Sequence, residues 1–148
     1  MIQIVKNRCW VLYFCLFITF AIMSSLKYHN LNTTFFDLGL FLNNFSMIAS
    51  GQWQSLFLSH VQPFGLFWSI PFSFLSIDWA ATIILVFQAA FLALPVIGLY
   101  RYFGIISALA FSFYFPLWYN ALFDFHMDHL AVPILFGFFF YERKRKLP

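Results

Sequence analysis

The sequence predicts an all-α, polytopic membrane protein with about four transmembrane helices and interfacial helices in a long first outer loop. Of its 148 residues, 63% are hydrophobic and only 9% are charged, whereas soluble domains are about 45–50% apolar and roughly a quarter charged. Several apolar runs approach the length that crosses a bilayer. Basic residues gather at the ends of these runs, most densely at 143–146, as is typical of segments retained in the cytoplasm.

The apolar runs divide a single membrane domain, 1–148. Lys6 and Arg8 precede the first run, so we expect span 1 to begin with a cytoplasmic N-terminus, and its length favours a retained helix over a signal peptide. Pro95 is expected to kink the second span. The charge bias predicts that both termini are cytoplasmic. The expected location is a bacterial inner membrane. The four spans are predicted at 9–26, 79–100, 102–123 and 124–142.

The first outer loop, 27–78, is too long to lack structure of its own. Its helical periodicity predicts an interfacial helix of about three turns that lies on the outer membrane surface and stops at Gly51. The apolar stripe of this helix is Leu38, Phe41, Leu42, Phe45 and Ile48, and the polar residues largely off it are Asn43, Asn44, Ser46 and Ser50. Residues 64–77 are short and interrupted by Pro71, which favours an interfacial or re-entrant piece.

Rare polar side chains on the predicted outer side are the candidates for chemistry, because polar groups near hydrocarbon are costly. Asp37 stands where a helix begins, so it is either an N-cap or a general base or cation ligand. His60 is either a hydrogen-bonded surface residue or part of a site. The spans themselves lack ionisable residues, and Gln88 is their main polar interruption, which disfavours a transporter or channel.

The densest polar group in the chain is Asp124-Phe125-His126-Met127-Asp128-His129. Carboxylates with imidazoles can bind a divalent metal, relay protons, or hold phosphate when the imidazoles are charged. The spacing matches no standard zinc motif. In the alternative interpretation, Asp128 caps the fourth helix and the histidines lie at its wet end.

Three short motifs occur in an order that resembles the predicted membrane protein family of unknown function 2079. Family members carry motifs like FDLGIFDQ, HFSP and DFHPE, and the resemblance covers roughly residues 33–142. Asn43 stands where the family has Gln, and Met127-Asp128 replaces Pro-Glu. Because family members continue through further spans, the resemblance implies the N-terminal module of a longer architecture. The motifs of this chain are Phe36-Asp37-Leu38-Gly39-Leu40-Phe41, His60-Val61-Gln62-Pro63 and Asp124-Phe125-His126-Met127-Asp128.

The layout of loop, motifs and spans also resembles the start of C-type glycosyltransferases, which take a sugar from a polyprenyl-phosphate donor at the outer leaflet. The resemblance implies that Asp37 and Asp124 are catalytic and that His60, His126 and Asn43 bind substrate. A divalent metal, if used, would draw on Asp37, Asp124, His126 and Asp128. The alternative is a non-catalytic small membrane subunit, or a truncated remnant of such an enzyme.

The expected partners follow from this interpretation. Composition predicts the lipid bilayer, the resemblance implies a polyprenyl-phosphate sugar and further membrane subunits, and nucleic acid is not expected. Lys27 is the one permanent cation expected on the outer face. Neutralising a phosphate would therefore need charged His60, His126 or His129, a metal, or a partner chain.

Overall fold

The computed structural model describes residues 2–30, 35–57, 64–123 and 125–146, without the side chains of 2–7, 35–37, 127 and 146. Within these ranges the chain is helical and contains no strand, as predicted. Three short 3₁₀ segments, Trp53–Phe57, Ile70–Ser73 and Met127–Leu130, connect the α-helices. The α-helices are α1 (Ile2–His29), α2 (Phe35–Ala49), α3 (Gly65–Ser69), α4 (Ile77–Ala93), α5 (Pro95–Phe103), α6 (Ile105–Ser112), α7 (Phe115–Leu122) and α8 (Ala131–Lys146).

Two helical segments in the described ranges are long and apolar enough to cross a membrane: Arg8–His29, and α4 with α5 as Ile77–Phe103. The bent pair α6 and α7 makes a third if it counts as one span. The expected number was four. The expected fourth span is α8, whose 16 residues would extend about 24 Å at 1.5 Å per residue, less than the roughly 30 Å hydrocarbon core.

The bend between α6 and α7 follows from a proline. The two helices meet at 48°, where the sequence alone predicted one uninterrupted span. Pro116 has no N–H to donate to the carbonyl of Ser112, four residues earlier. The indole Nε1 of Trp118 donates to that carbonyl oxygen instead, at 2.6 Å. The predicted kink at Pro95 corresponds to a break in helical hydrogen bonding at Leu94, between α4 and α5.

Helices α1 and α4 run antiparallel, so the molecule has two chemically different ends. The Tyr28 hydroxyl donates to Asp78 Oδ1 at 3.0 Å, which joins the end of α1 to the start of α4. We call this the polar end, and it also carries Lys27 and the 125–130 segment. At the opposite, basic end, Arg143 lies 4.4 Å from the centre of the Phe103 ring.

Two hydrophobic clusters hold the bundle together. The central cluster joins α1 to α4, α5, α6 and α7, with Phe20, Leu92 and Val96 fully buried. The second cluster lies toward the polar end and joins α2 to α3, α4 and Phe125. A close approach at the basic end completes the packing, because the ring of Phe140 in α8 lies where a Cβ of Gly98 would be.

Helix α2 confirms the predicted stripe and its stop. Leu38, Leu42, Phe45 and Ile48 are buried and Phe41 is half-buried, but Asn44, predicted off the stripe, is buried as well. The N–H of Gly51 donates to Ile48 O and that of Gln52 to Met47 O, both at 2.9 Å, with Gly51 at a φ of 89°. This is a Schellman ending, in which a glycine adopts the left-handed conformation.

The apolar stripe of α2 packs against protein. Its partners include Trp68 of α3, Ile84 of α4 and Phe125. Helix α2 is therefore a packed cover over the polar end of the bundle.

Candidate functional site

The polar end gathers residues from four parts of the sequence. The end of α1, the start of α4, the end of α7 and the 125–130 segment meet there, with α2 packed alongside. Among the carboxylates whose side chains are described, Asp78 and Asp128 lie at this end, and Glu142 lies in α8 beside Arg143 at the other. The predicted concentration of polar groups at one end is thus a property of the fold.

Phe125 anchors the 125–130 segment. Its side chain is 1% exposed, and its ring centre lies 5.5 Å from that of Phe41, 6.0 Å from Phe45 and 5.4 Å from Trp68. All three contacts are edge-on, the favourable geometry for aromatic pairs. Sequence reasoning missed this residue as a site determinant, although a lone aromatic inside a polar segment was the available signal.

His126 links the segment to the interior of the bundle. Its backbone N–H donates to Gln88 Oε1 at 3.3 Å. Gln88, the main polar residue inside span 2, therefore binds the backbone of the 125–130 segment. The imidazole lies between Phe41, at 5.6 Å, and Phe123, at 6.3 Å, measured between ring centres. The ring of His129 is 5.9 Å away. Gln88 is 1% exposed, and its Nε2 has no acceptor among the described residues.

His129 is buried, contrary to the interpretation that the histidines lie at the wet end of a helix. Its side chain is 9% exposed, and its Nδ1 has no hydrogen-bond partner in the described part of the chain. His129 is therefore enclosed by the bundle, whereas His126 is only half-buried.

A groove of about 730 Å³ opens beside Asp128, within the size range of ligand sites. One wall comes from α3, one from the junction of α4 and α5, and one from the start of α8. Among the described residues, Asp128 is the one charged residue that lines it. The apolar and aromatic lining residues are Phe64, Phe67, Trp68, Phe91, Leu94, Leu130, Ala131, Pro133 and Ile134.

Lys27 lies on another side of the polar end. Its Nζ donates to the carbonyl oxygen of Leu122 at 2.6 Å and lies 6.0 Å from the centre of the Phe123 ring. His126 packs on the same ring. Lys27 and His126 therefore both contact Phe123. His29 and Asp78 have bundle partners, since His29 Nε2 lies 3.2 Å from Thr82 Oγ1 and Asp78 accepts from Tyr28.

Several predicted site residues fall outside the described part of the chain. These are His60, Asp124 and the side chain of Asp37, although the backbone of Asp37 lies in the first turn of α2. Asn43 is exposed on α2, and its Nδ2 lies 3.9 Å from Met47 Sδ. The described His, Cys, Asp and Glu side chains form no group of three that could hold a metal ion. His126 and Asp128 alone thus provide no metal site.

The fold and this end of the bundle define an all-α protein with helices suited to membrane insertion. No protein-family model, curated protein or solved structure matches the chain.

Proposed function

We propose that this chain is a glycosyltransferase-like integral membrane protein that acts at the outer leaflet on a polyprenyl-phosphate-linked sugar. The observation that carries the proposal is the groove beside Asp128. Its aromatic and aliphatic walls suit an isoprenoid chain, and its one carboxylate can accept hydrogen bonds from sugar hydroxyls. The groove borders one of the three motifs that resemble the unknown-function family.

The proposed topology has four crossings, with α8 and the 125–130 segment as the fourth and both termini in the cytoplasm. The separation of a polar from a basic end supports this arrangement, since cytoplasmic ends are rich in Lys and Arg. The polar end then meets the outer headgroup region of a bacterial inner membrane. A lipid-linked sugar phosphate has its head at that level.

In the proposed reaction, Asp37 or Asp124 removes the proton of an acceptor hydroxyl. The acceptor oxygen bonds to the sugar's anomeric carbon, the bond from that carbon to the phosphate oxygen breaks, and polyprenyl phosphate leaves with the electron pair. His126, His60 and Asn43 would orient the sugar. His129 is buried, so neutralising the donor phosphate would need charged His60 or His126, a metal, or a partner chain.

The test is a transfer assay with a polyprenyl-phosphate sugar in membranes that contain each variant at wild-type level. Whichever of Asp37→Asn and Asp124→Asn removes the base should reduce transfer by about 10²-fold or more, as loss of a general base does. Asp78→Asn is the matched control, because it changes a carboxylate at the same end but keeps an acceptor for Tyr28. Unchanged transfer and unchanged surface glycans in both test variants would refute the proposal.

The second candidate is a non-catalytic membrane subunit, and the surface of α1 favours it. Only 28% of the apolar window in Arg8–His29 is buried, against 56% in Ile77–Phe103. Phe14 and Ile18 are about half exposed, at 50% and 49%, and could contact another helix. A photo-crosslinker at position 14 should capture one defined membrane protein if the chain is such a subunit. The same crosslinker at position 20, where Phe20 is buried, is the control and should capture none. Capture of lipid alone from position 14 would exclude this role.

A further inference from the structure

A second, smaller groove lies at the polar end beside Lys27. It holds about 240 Å³, one third of the larger groove, and the two share no lining residue. Its walls are formed by α7 and the residue that follows it. The lining residues are Lys27, Phe115, Trp118, Tyr119, Leu122 and Phe123.

The groove contains a fixed positive charge. An ammonium group has three N–H donors, and in Lys27 one of them reaches the Leu122 carbonyl at the end of α7. That carbonyl belongs to the negative end of the helix dipole, which favours a cation there. The described residues form no ion pair with Lys27, and an ammonium in this position can donate to an anionic ligand.

The other walls are mostly aromatic and suit hydrocarbon, and the Tyr119 hydroxyl adds one further donor. Trp118 already uses its indole N–H on the Ser112 carbonyl, and the ring of Phe123 lies beside the Lys27 ammonium. Trp and Tyr are the residues enriched where spans meet lipid headgroups. Trp118 and Tyr119 lie in the last two turns of the bent candidate span, which is consistent with headgroup depth.

We propose that this groove binds one anionic phospholipid of the surrounding bilayer. Its phosphate contacts Lys27 Nζ, and the first carbons of its chains lie on Phe115 and Tyr119. The volume supports a partial occupant, because sites that enclose a whole ligand usually exceed about 300 Å³. This site is separate from the groove proposed for the polyprenyl chain, and it does not depend on catalysis.

Brominated phosphatidylglycerol in phosphatidylcholine vesicles tests the proposal by quenching Trp118. The exposed tryptophans are first replaced by phenylalanine, as Trp10→Phe, Trp53→Phe and Trp79→Phe. Trp68 is 2% exposed and stays as a shielded background. Quenching should match a lipid enriched about fivefold over bulk, the effect of one lysine at an anionic surface.

Matched variants decide the outcome. Lys27→Gln should reduce quenching to the bulk level, Lys27→Arg should largely retain the enrichment, and Lys144→Gln, at the basic end, should leave it unchanged. Equal quenching in the parent and in Lys27→Gln would overturn the proposal. Displacement of the brominated lipid by an equimolar amount of polyprenyl phosphate would also overturn the proposal, because the groove would then belong to the proposed substrate. Quenching that resists this competitor supports a bilayer lipid.

Discussion

Removing the ring of Phe125 should release α2 from the polar end of the bundle. Phe125 is 1% exposed and lies in the cluster that joins α2 to α3 and α4. It contacts Phe41 and Phe45 of α2 on one side and Trp68 of α3 on the other. Phe125→Ala therefore removes the side chain that joins the two helices to the polar segment.

The magnitude follows from these contacts. Three aromatic pairs contribute about 0.5–1.5 kcal/mol each beyond the burial of their area, and a buried Phe→Ala change costs about 3–5 kcal/mol in total. We expect a loss near 3 kcal/mol, which corresponds to roughly a hundredfold increase in the open population of α2 at 1.36 kcal/mol per factor of ten. Phe125→Leu keeps most of the volume but loses the three ring contacts, so about 1.5 kcal/mol is expected.

Amide hydrogen exchange of α2 in lipid nanodiscs measures this opening directly. The amides of residues 42–48 should exchange about a hundred times faster in Phe125→Ala and about ten times faster in Phe125→Leu. Phe74→Ala is the control, because Phe74 is 81% exposed. If exchange of α2 in Phe125→Ala stays at the wild-type rate in a correctly folded sample, Phe125 does not hold α2 and the packing account is wrong.

Two further predictions concern stability. Gly51→Ala should destabilise the fold by about 1–2 kcal/mol, because the φ of Gly51 is 89°. Gly39→Ala, in helical and open surroundings, should stabilise it by up to about 1 kcal/mol. Thermal melting that ranks these two variants the other way contradicts this prediction. Gly98→Ala should loosen α8, because its Cβ would overlap the ring of Phe140. The loss in melting temperature should disappear in a Phe140→Ala background, and an equal loss in both backgrounds refutes the contact.

The candidate site was predictable in its residues but not in its contacts. The sequence indicated that His126, Asp128 and Lys27 belong to one end of the molecule, because charge sidedness can be read along the chain. It could not indicate that His126 is held by Gln88, 38 positions away. One interpretation of the sequence placed both His126 and His129 at the wet end of a helix, whereas the structure buries His129 and leaves His126 half-buried.

The sequence by itself determined the class of the protein, the buried stripe of α2 and its stop at Gly51. These properties depend on composition and on interactions within about one helical turn, which neighbouring residues settle. Only the tertiary structure decided that the stripe of α2 faces protein, that Trp118 supports the bend before Pro116, and that Asp128 borders a groove. Each depends on which distant side chains compete for the same space or hydrogen bond, and no local pattern records that competition.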